Sequence, residues 1–275
     1  MILQGDFPQH LFGSLKVQQV GDDDLACFQL GLLERFNNLE LLFLSDCSYE
    51  VVFSNEGYLE KHGRKLALIK MLDLTRLNRL QQLWKHDSKQ LNFIFQHLEI
   101  IRAYHCQNLL SLLPSSSVSF RNLAHLQAFA CKKLMNLGTC STAKSLERLL
   151  SLKVFGCTAM TEVVVCDEYE TANIKEEIVF SKLITLSLFD LDSLTSFSSA
   201  NYTFKFPCLQ DLSVIGCPKM KIFTKGESTT PLRVNVRYGR SEDKVRWSNN
   251  DLNTIIQQLH QEKVRVTVRI FVINE

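Results

Sequence analysis

Nine cysteines and seven histidines hold most of the chemical potential of this chain. Thiolates and imidazoles ligate zinc, close disulfides or serve as nucleophile and base, and each use carries its own spacing. Zinc sites bring paired ligands such as Cys-x-x-Cys, and no two cysteines here stand at that separation. His105 adjoins Cys106 without a partner motif, and His125 lies one repeat further on with no nucleophile or carboxylate pair beside it. The phosphate loop Gly-x-x-x-x-Gly-Lys-Ser/Thr and the strings Gly-x-Gly-x-x-Gly, His-Glu-x-x-His and Gly-x-Ser-x-Gly are all absent. The residues therefore read as those of a non-enzyme that needs no metal. An odd number of cysteines spread through the whole chain also fits reduced, buried thiols better than a disulfide framework.

The cysteines follow leucine instead. The template Leu-x-x-Leu-x-Leu-x-x-Cys/Leu-x-x-Leu-x-x-Leu recurs in six clear copies, one of them Leu98, Ile101, Ala103, Cys106, Leu109 and Leu112, the next Leu123, Leu126, Ala128, Cys131, Leu134 and Leu137. Its fourth slot holds Cys47, Cys106, Cys131, Cys157 and Cys217 where other copies have Leu77 or Leu191, so these five thiols read as small core fillers. Cys27, Cys140, Cys166 and Cys208 fall out of phase. A truncated copy at Leu39, Leu42, Leu44 and Cys47 and a poor one at Phe12, Leu15, Val17 and Val20 bring the count to about eight. Marker positions 15, 42, 72, 101, 126, 152, 186 and 212 step by 25 to 34 residues, centred on the leucine-rich repeat period.

That period predicts an α/β solenoid, a leucine-rich repeat horseshoe with one parallel sheet on its concave face and an irregular or short helical convex side. Each x-Leu-x-Leu-x segment is a strand with two apolar residues inward, and each unit buries only half a core until its neighbours stack on it. The array is expected over 1–230, weak over 1–65. A terminal unit over 231–275 follows, with a last rung near Val234, an amphipathic helix built on Leu252, Ile255, Ile256 and Leu259 that with Trp247 seals the open end, and an alternating strand from Val264 to Val272.

Stacked rungs can be read as columns down the concave face. The residues between the inward pair run Lys16, Phe43, Asp73, Arg102, Gln127, Lys153, Ser187, Ser213, mostly polar; those just after it run Gln18, Ser45, Thr75, Tyr104, Phe129, Phe155, Phe189, Ile215. Tyr104, Phe129, Phe155, Phe189 and Ile215 form a continuous stripe about 20 Å long at a rung spacing of about 4.8 Å. With Arg102 and Lys153 beside it, this is the candidate partner-binding face. The alternative is that these side chains only complete the core.

Charge adds little at whole-chain level: the formal net charge is +2, which gives no call for nucleic acid, and no apolar run reaches the length of a membrane span. Locally, an insertion after Cys47 carries Tyr49, Glu56, Tyr58, Glu60, Lys61 and His62, and another after Val165 carries Asp167, Glu168, Tyr169, Glu170, Glu176 and Glu177. Basic residues from Lys205 to Arg246 oppose the second. The two charged segments read as docking surfaces or as solvated faces.

The string Phe206-Pro207-Cys208-Leu209 through Gly216-Cys217-Pro218-Lys219-Met220, the turn Leu80-Gln81-Gln82-Leu83-Trp84-Lys85 and the tail Asp251-Leu252-Asn253-Thr254-Ile255-Ile256 resemble the leucine-rich repeat domain of plant intracellular coiled-coil nucleotide-binding disease-resistance receptors. The resemblance implies a cytoplasmic or nuclear module of innate immunity that recognises a pathogen effector or a guarded host protein, or restrains its own nucleotide-binding domain. It implies no cofactor in this chain, ATP or ADP being held by an upstream domain. The alternatives are a substrate-receptor arm of a ubiquitin ligase and a stand-alone decoy.

Overall fold

The computed structural model describes residues 15–25, 27–28, 38–53, 69–84, 96–114, 119–166, 176–239, 245–247 and 250–261. Glu56 to His62, Asp167 to Glu170, Phe12, and the Val264 to Val272 alternation lie outside them, as do Arg240, Lys244 and the side chains of Arg246 and Trp247. The described chain winds as a parallel solenoid. Its main sheet has ten strands, nine of them parallel from Val17–Gly21 to Val234–Gly239, and the last, Val245–Trp247, antiparallel.

The template explains the register. Leu72 pairs with Ile101, Leu126 with Leu152 and Leu186 with Leu212, so the same repeat position meets itself at every rung. The second half of each unit, Cys/Leu-x-x-Leu, closes a tight turn in which the later N–H donates to the earlier carbonyl. Leu109 donates to Cys106, Leu134 to Cys131, Met160 to Cys157 and Leu194 to Leu191 at 3.1 to 3.3 Å. The turn sends both side chains back inside, and these residues are fully buried. A second tight turn, Phe-x-x-Leu, precedes three rungs, at Phe120, Phe180 and Phe206.

In the fourth slot a thiol does what leucine cannot. Cys106 Sγ donates to the Leu74 carbonyl of the previous rung and to the Tyr104 carbonyl, both at 3.7 Å. Cys131 and Cys217 do the same toward Ala103 and Phe129, and toward Leu188 and Ile215. Burial pushes the Cys47 thiol up, and contact with Cys131 together with burial pushes Cys106 and Cys157 up.

The residue after each rung strand takes a left-handed conformation: Asp22, Asp46, Arg76, His105, Ala130 and Asp190 at φ of 51° to 56°, and Gly156 and Gly216 at 65° and 66°. Each carries the ladder one residue further. The Arg76 N–H donates to the Tyr104 carbonyl at 2.8 Å, that of His105 to Phe129 at 2.8 Å, and that of Ala130 to Phe155 at 2.7 Å. Asp46 in this column also meets Arg76 on the next rung through two hydrogen bonds of 2.7 and 2.6 Å.

Two expectations are corrected. In the first rung Gln18 pairs with Leu42 and Val20 with Leu44, so the weak copy at Leu15 and Val17 is three residues out of register. Leu15 and Val17 are exposed, and the concave residues there are Gln19 and Gly21 rather than Lys16 and Gln18. The error arises because the inward slot is filled by glutamine, which hides the rung from an apolar template.

Where described, the irregular convex side is built largely of short strands. Cys27–Phe28, Val51–Phe53 and Gln82–Trp84 form one small parallel sheet, Gly138–Thr139 and Val164–Val165 another, and Glu177–Val179, Thr203–Lys205 and Ser228–Thr229 a third. Among the described residues of this side, the four-residue helix Cys140–Ala143, capped by the Thr139 hydroxyl, interrupts them. β-Branched pairs such as Val51-Val52 and Ile178-Val179 favour the strand, and such short segments cannot repay a helix nucleus.

Cys140 and Cys166 are joined as a disulfide, with Cα atoms 5.0 Å apart, so for these two the reading as reduced thiols is overturned. Their separation of 26 residues equals the step between the Leu126 and Leu152 rungs, which stacks them as neighbours.

At the far end, residues 252–261 form a helix. Asp251 caps it, accepting from the Asn253 and Thr254 N–H groups at 3.0 and 3.1 Å. Leu252, Ile255 and Ile256 are fully buried. Asn253 accepts from the Thr224 N–H and donates to the Gly226 carbonyl, both at 2.8 Å, tying the helix to the last repeat.

Two outcomes follow for the fold. In the native protein a thiol reagent labels the exposed Cys208 first and the half-buried Cys27 next, while the five fourth-slot thiols react only on unfolding; labelling quantified by mass spectrometry checks this. Ala130→Gly relieves a left-handed alanine and raises stability by up to about 1 kcal/mol, read as a higher Tm.

Candidate functional site

Every rung presents three residues on the concave face, because alternate residues of a strand share a side. The inward pairs between them are buried to 2% exposure or less from Leu42 to Val236. Below Phe155, for example, Leu152 and Val154 are sealed, whereas Phe155 itself stands 43% exposed.

Tyr104, Phe129, Phe155 and Phe189 form one ladder on this face. Tyr104 and Phe129 stack with ring centroids 5.0 Å apart and planes 18° apart; Phe129 and Phe155 follow at 6.1 Å and 28°, and Phe155 and Phe189 at 6.3 Å and 38°. Ile215 continues the column, paired in register with Phe189. Tyr104, Phe129, Phe189 and Ile215 are half-buried by one another. The side chains thus stand on the face and pack along it, so neither pure exposure nor pure core describes them. Thr75 ends the ladder on one side and Gly239 on the other.

The middle column carries the charge. Arg102 lies 4.0 Å from the Asp73 carboxylate of the preceding rung, and the Thr75 hydroxyl donates to Asp73 at 3.1 Å. Burial raises Asp73 above the usual carboxylate range, against the opposing pull of Thr75 and Arg102. Gln127 accepts from the Tyr104 hydroxyl at 3.2 Å. Lys153 is exposed, and Ser187 and Ser213 are small and buried. The Nε groups of Arg102 and Arg237 and the Ser151 hydroxyl are buried without partners. His125 sits half-buried on this face, whereas His105 stands at the exposed turn. Among the described residues no group of three His, Cys, Asp or Glu side chains is placed to hold a metal.

A third column escaped the sequence reading, which took only the residue between the inward pair and the one after it. The residue before the pair also faces the concave side: Leu41, Met71 and Ile100 on the early rungs, then His125, Ser151, Thr185 and Asp211. The signal lay in the strand period of two residues. Apolar surface therefore crosses the sheet diagonally, and it changes edge at the rung that carries both Ile100 and Tyr104.

A family model described as plant disease resistance protein RPS2-like, leucine-rich repeats, matches residues 1–119 and 113–225. The chain belongs to that family. No curated protein matches the chain. As a leucine-rich repeat domain of the disease-resistance class, it has the architecture of a recognition module, a fold that typically carries protein contacts and no catalysis. No helix of the described residues is long and apolar enough to cross a membrane.

The charged and basic segments resolve in part. Lys205 pairs with Glu177 at 2.7 Å across neighbouring convex strands, and Lys144 pairs with Glu176. Among the described residues, one ion pair, Lys205 with Glu177, joins the two segments.

Asp73 supplies a pH test. A carboxyl raised in the fold favours the protonated native state, so its contribution is fully present below the unfolded value of about 3.9 and is lost as pH rises through the folded value. Asp73→Asn therefore raises Tm at pH 7, and the advantage fades on acidification toward pH 4; a lower Tm at pH 7 means that the contact with Arg102 outweighs desolvation.

Proposed function

We propose that this chain is the protein-recognition module of a plant innate-immune receptor, binding a pathogen effector or a guarded host protein on its concave face and transmitting occupancy to a nucleotide-binding switch domain. The reading places it in the cytoplasm or nucleus and assigns ATP or ADP to another domain. The family supplies the biological setting. The observation that carries the reading is the ladder of four rings, Tyr104 to Phe189, held on the open face of a sheet whose own core is already closed beneath it.

A soluble domain has little reason to keep such a row facing solvent, and contiguous apolar surface rimmed by polar groups marks interaction sites. Aromatic anchors dominate protein interfaces because they bury large area at small entropic cost. Arg102 and Lys153 flank the ladder and supply the polar rim.

The test separates packing from binding. Phe155→Ser removes two ring contacts near the low end of the usual range, together about 1 kcal/mol, and lowers Tm by roughly 2–4 °C. Leu186→Ala on the inward side costs about 2–5 kcal/mol and lowers Tm further. Pairwise binding screens against effector and host proteins then compare wild type with Phe155→Ser. Partners that lose at least tenfold in affinity to the variant support the reading, and partners that bind both equally place recognition elsewhere.

A further inference from the structure

The concave face carries a charge bias that its own core does not need. From the Asp73 rung onward its cations are Arg102, Lys153 and Arg237, against the carboxylates of Asp73, which lies 4.0 Å from Arg102, and Asp211, which already accepts from Asn235 at 3.4 Å. Neither Lys153 nor Arg237 has a carboxylate partner among the described residues. Arg102 and Arg237 each bury an Nε–H with no acceptor, a state that costs free energy and that an incoming carboxylate relieves by drawing the guanidinium outward. Arg148 and Lys182 add two cations on the rim where the chain enters the strands, lining a shallow groove with Glu99.

The ladder beside these cations has a length and a pitch. Its ring spacings of 5.0, 6.1 and 6.3 Å bracket the 5.4 Å turn of an α-helix and fall short of the roughly 6.6 Å same-face repeat of an extended strand. A helix lying along the ladder sets one apolar anchor against each ring gap and turns its flank toward Lys153 and Arg237.

Resting on the reading of the concave face as the recognition surface, we infer that its occupant is an acidic amphipathic helix of a partner protein. Its apolar stripe seats on Tyr104, Phe129, Phe155 and Phe189, and its carboxylates meet Arg102, Lys153 and Arg237. Charge complementarity selects this occupant over a basic or neutral helix of the same apolar pattern.

Three hydrocarbon-stapled helical peptides with identical leucine and phenylalanine anchors, and with Glu, Gln or Lys at the flanking positions, serve as probes. Fluorescence anisotropy measures their affinity for the full 275-residue chain. The expected order is Glu over Gln by at least fivefold and Gln over Lys by a similar factor, with the Glu advantage shrinking at high salt. Lys153→Glu, at an exposed position, reduces or inverts the order, while Phe155→Ser weakens all three peptides. Equal binding of the Glu and Gln peptides, both lost in Phe155→Ser, overturns the acidic helix and leaves the recognition face standing. Binding that ignores Phe155→Ser overturns both, and absence of binding by any peptide overturns the helix.

Discussion

Each rung buries one half of a core and depends on the next rung for the other half. Almost every other feature follows from that dependence. Residues two apart point the same way, so a slip of one residue would turn the inward pair to solvent. The pair must therefore meet the neighbouring pair in register, as Leu74 meets Ala103 and Val154 meets Leu188. Where the pair is small, as with Ala103 and Ala128, large residues around it close the space, and both alanines remain fully buried. The ladder of backbone hydrogen bonds cannot end with the strand either, because a carbonyl left at the rung's edge would lack a donor. A left-handed residue supplies it at rung after rung, at the cost of strain in Ala130 and with side-chain support in Asp46.

Cysteine in the fourth slot belongs to the same account. The tight turn after each strand leaves carbonyls of two successive rungs pointing at one small cavity. A thiol fills the volume and offers a weak donor to both. Leucine fills it better but donates nothing, and Leu77 and Leu191 show that the fold accepts either. The cysteines are thus a packing choice made repeatedly. Cys140 and Cys166 differ because they stand just past the convex strands Gly138–Thr139 and Val164–Val165, where the slot geometry does not apply and one repeat step brings sulfur to sulfur.

What was legible in the sequence followed this division. The inward leucines obey one spacing at every rung, so Leu98 to Leu112 and Leu183 to Phe197 could be aligned without any structure, and the parallel sheet with them. The first rung was misplaced because Gln18 holds an inward register position and carries no apolar signal. The convex strands were missed because two or three residues, such as Cys27–Phe28, are too few to show a period. On the concave face, the column headed by Tyr104 was readable once the register was known. The column of Leu41, Met71 and Ile100 was equally readable, but it sits before the template's first strand leucine and outside the pattern that drew attention.

The same dependence decides how the aromatic ladder should be understood. If the rings were needed to complete the core, every rung would require a large residue in their column. The column instead runs Gly21, Ser45, Thr75, Tyr104, Phe129, Phe155, Phe189, Ile215, Gly239. Leu42 and Leu44 on the Ser45 rung, and Leu72 and Leu74 on the Thr75 rung, are as fully buried as Leu186 and Leu188 on the Phe189 rung. The fold closes its core equally well over serine or threonine in that position. The aromatic residues are confined to four adjacent rungs whose backbones do not call for them, and their stacking on one another follows from that adjacency at a spacing near 4.8 Å. The recognition role proposed for this face, a constraint from outside the fold, accounts for both the identity of these residues and the limits of the row.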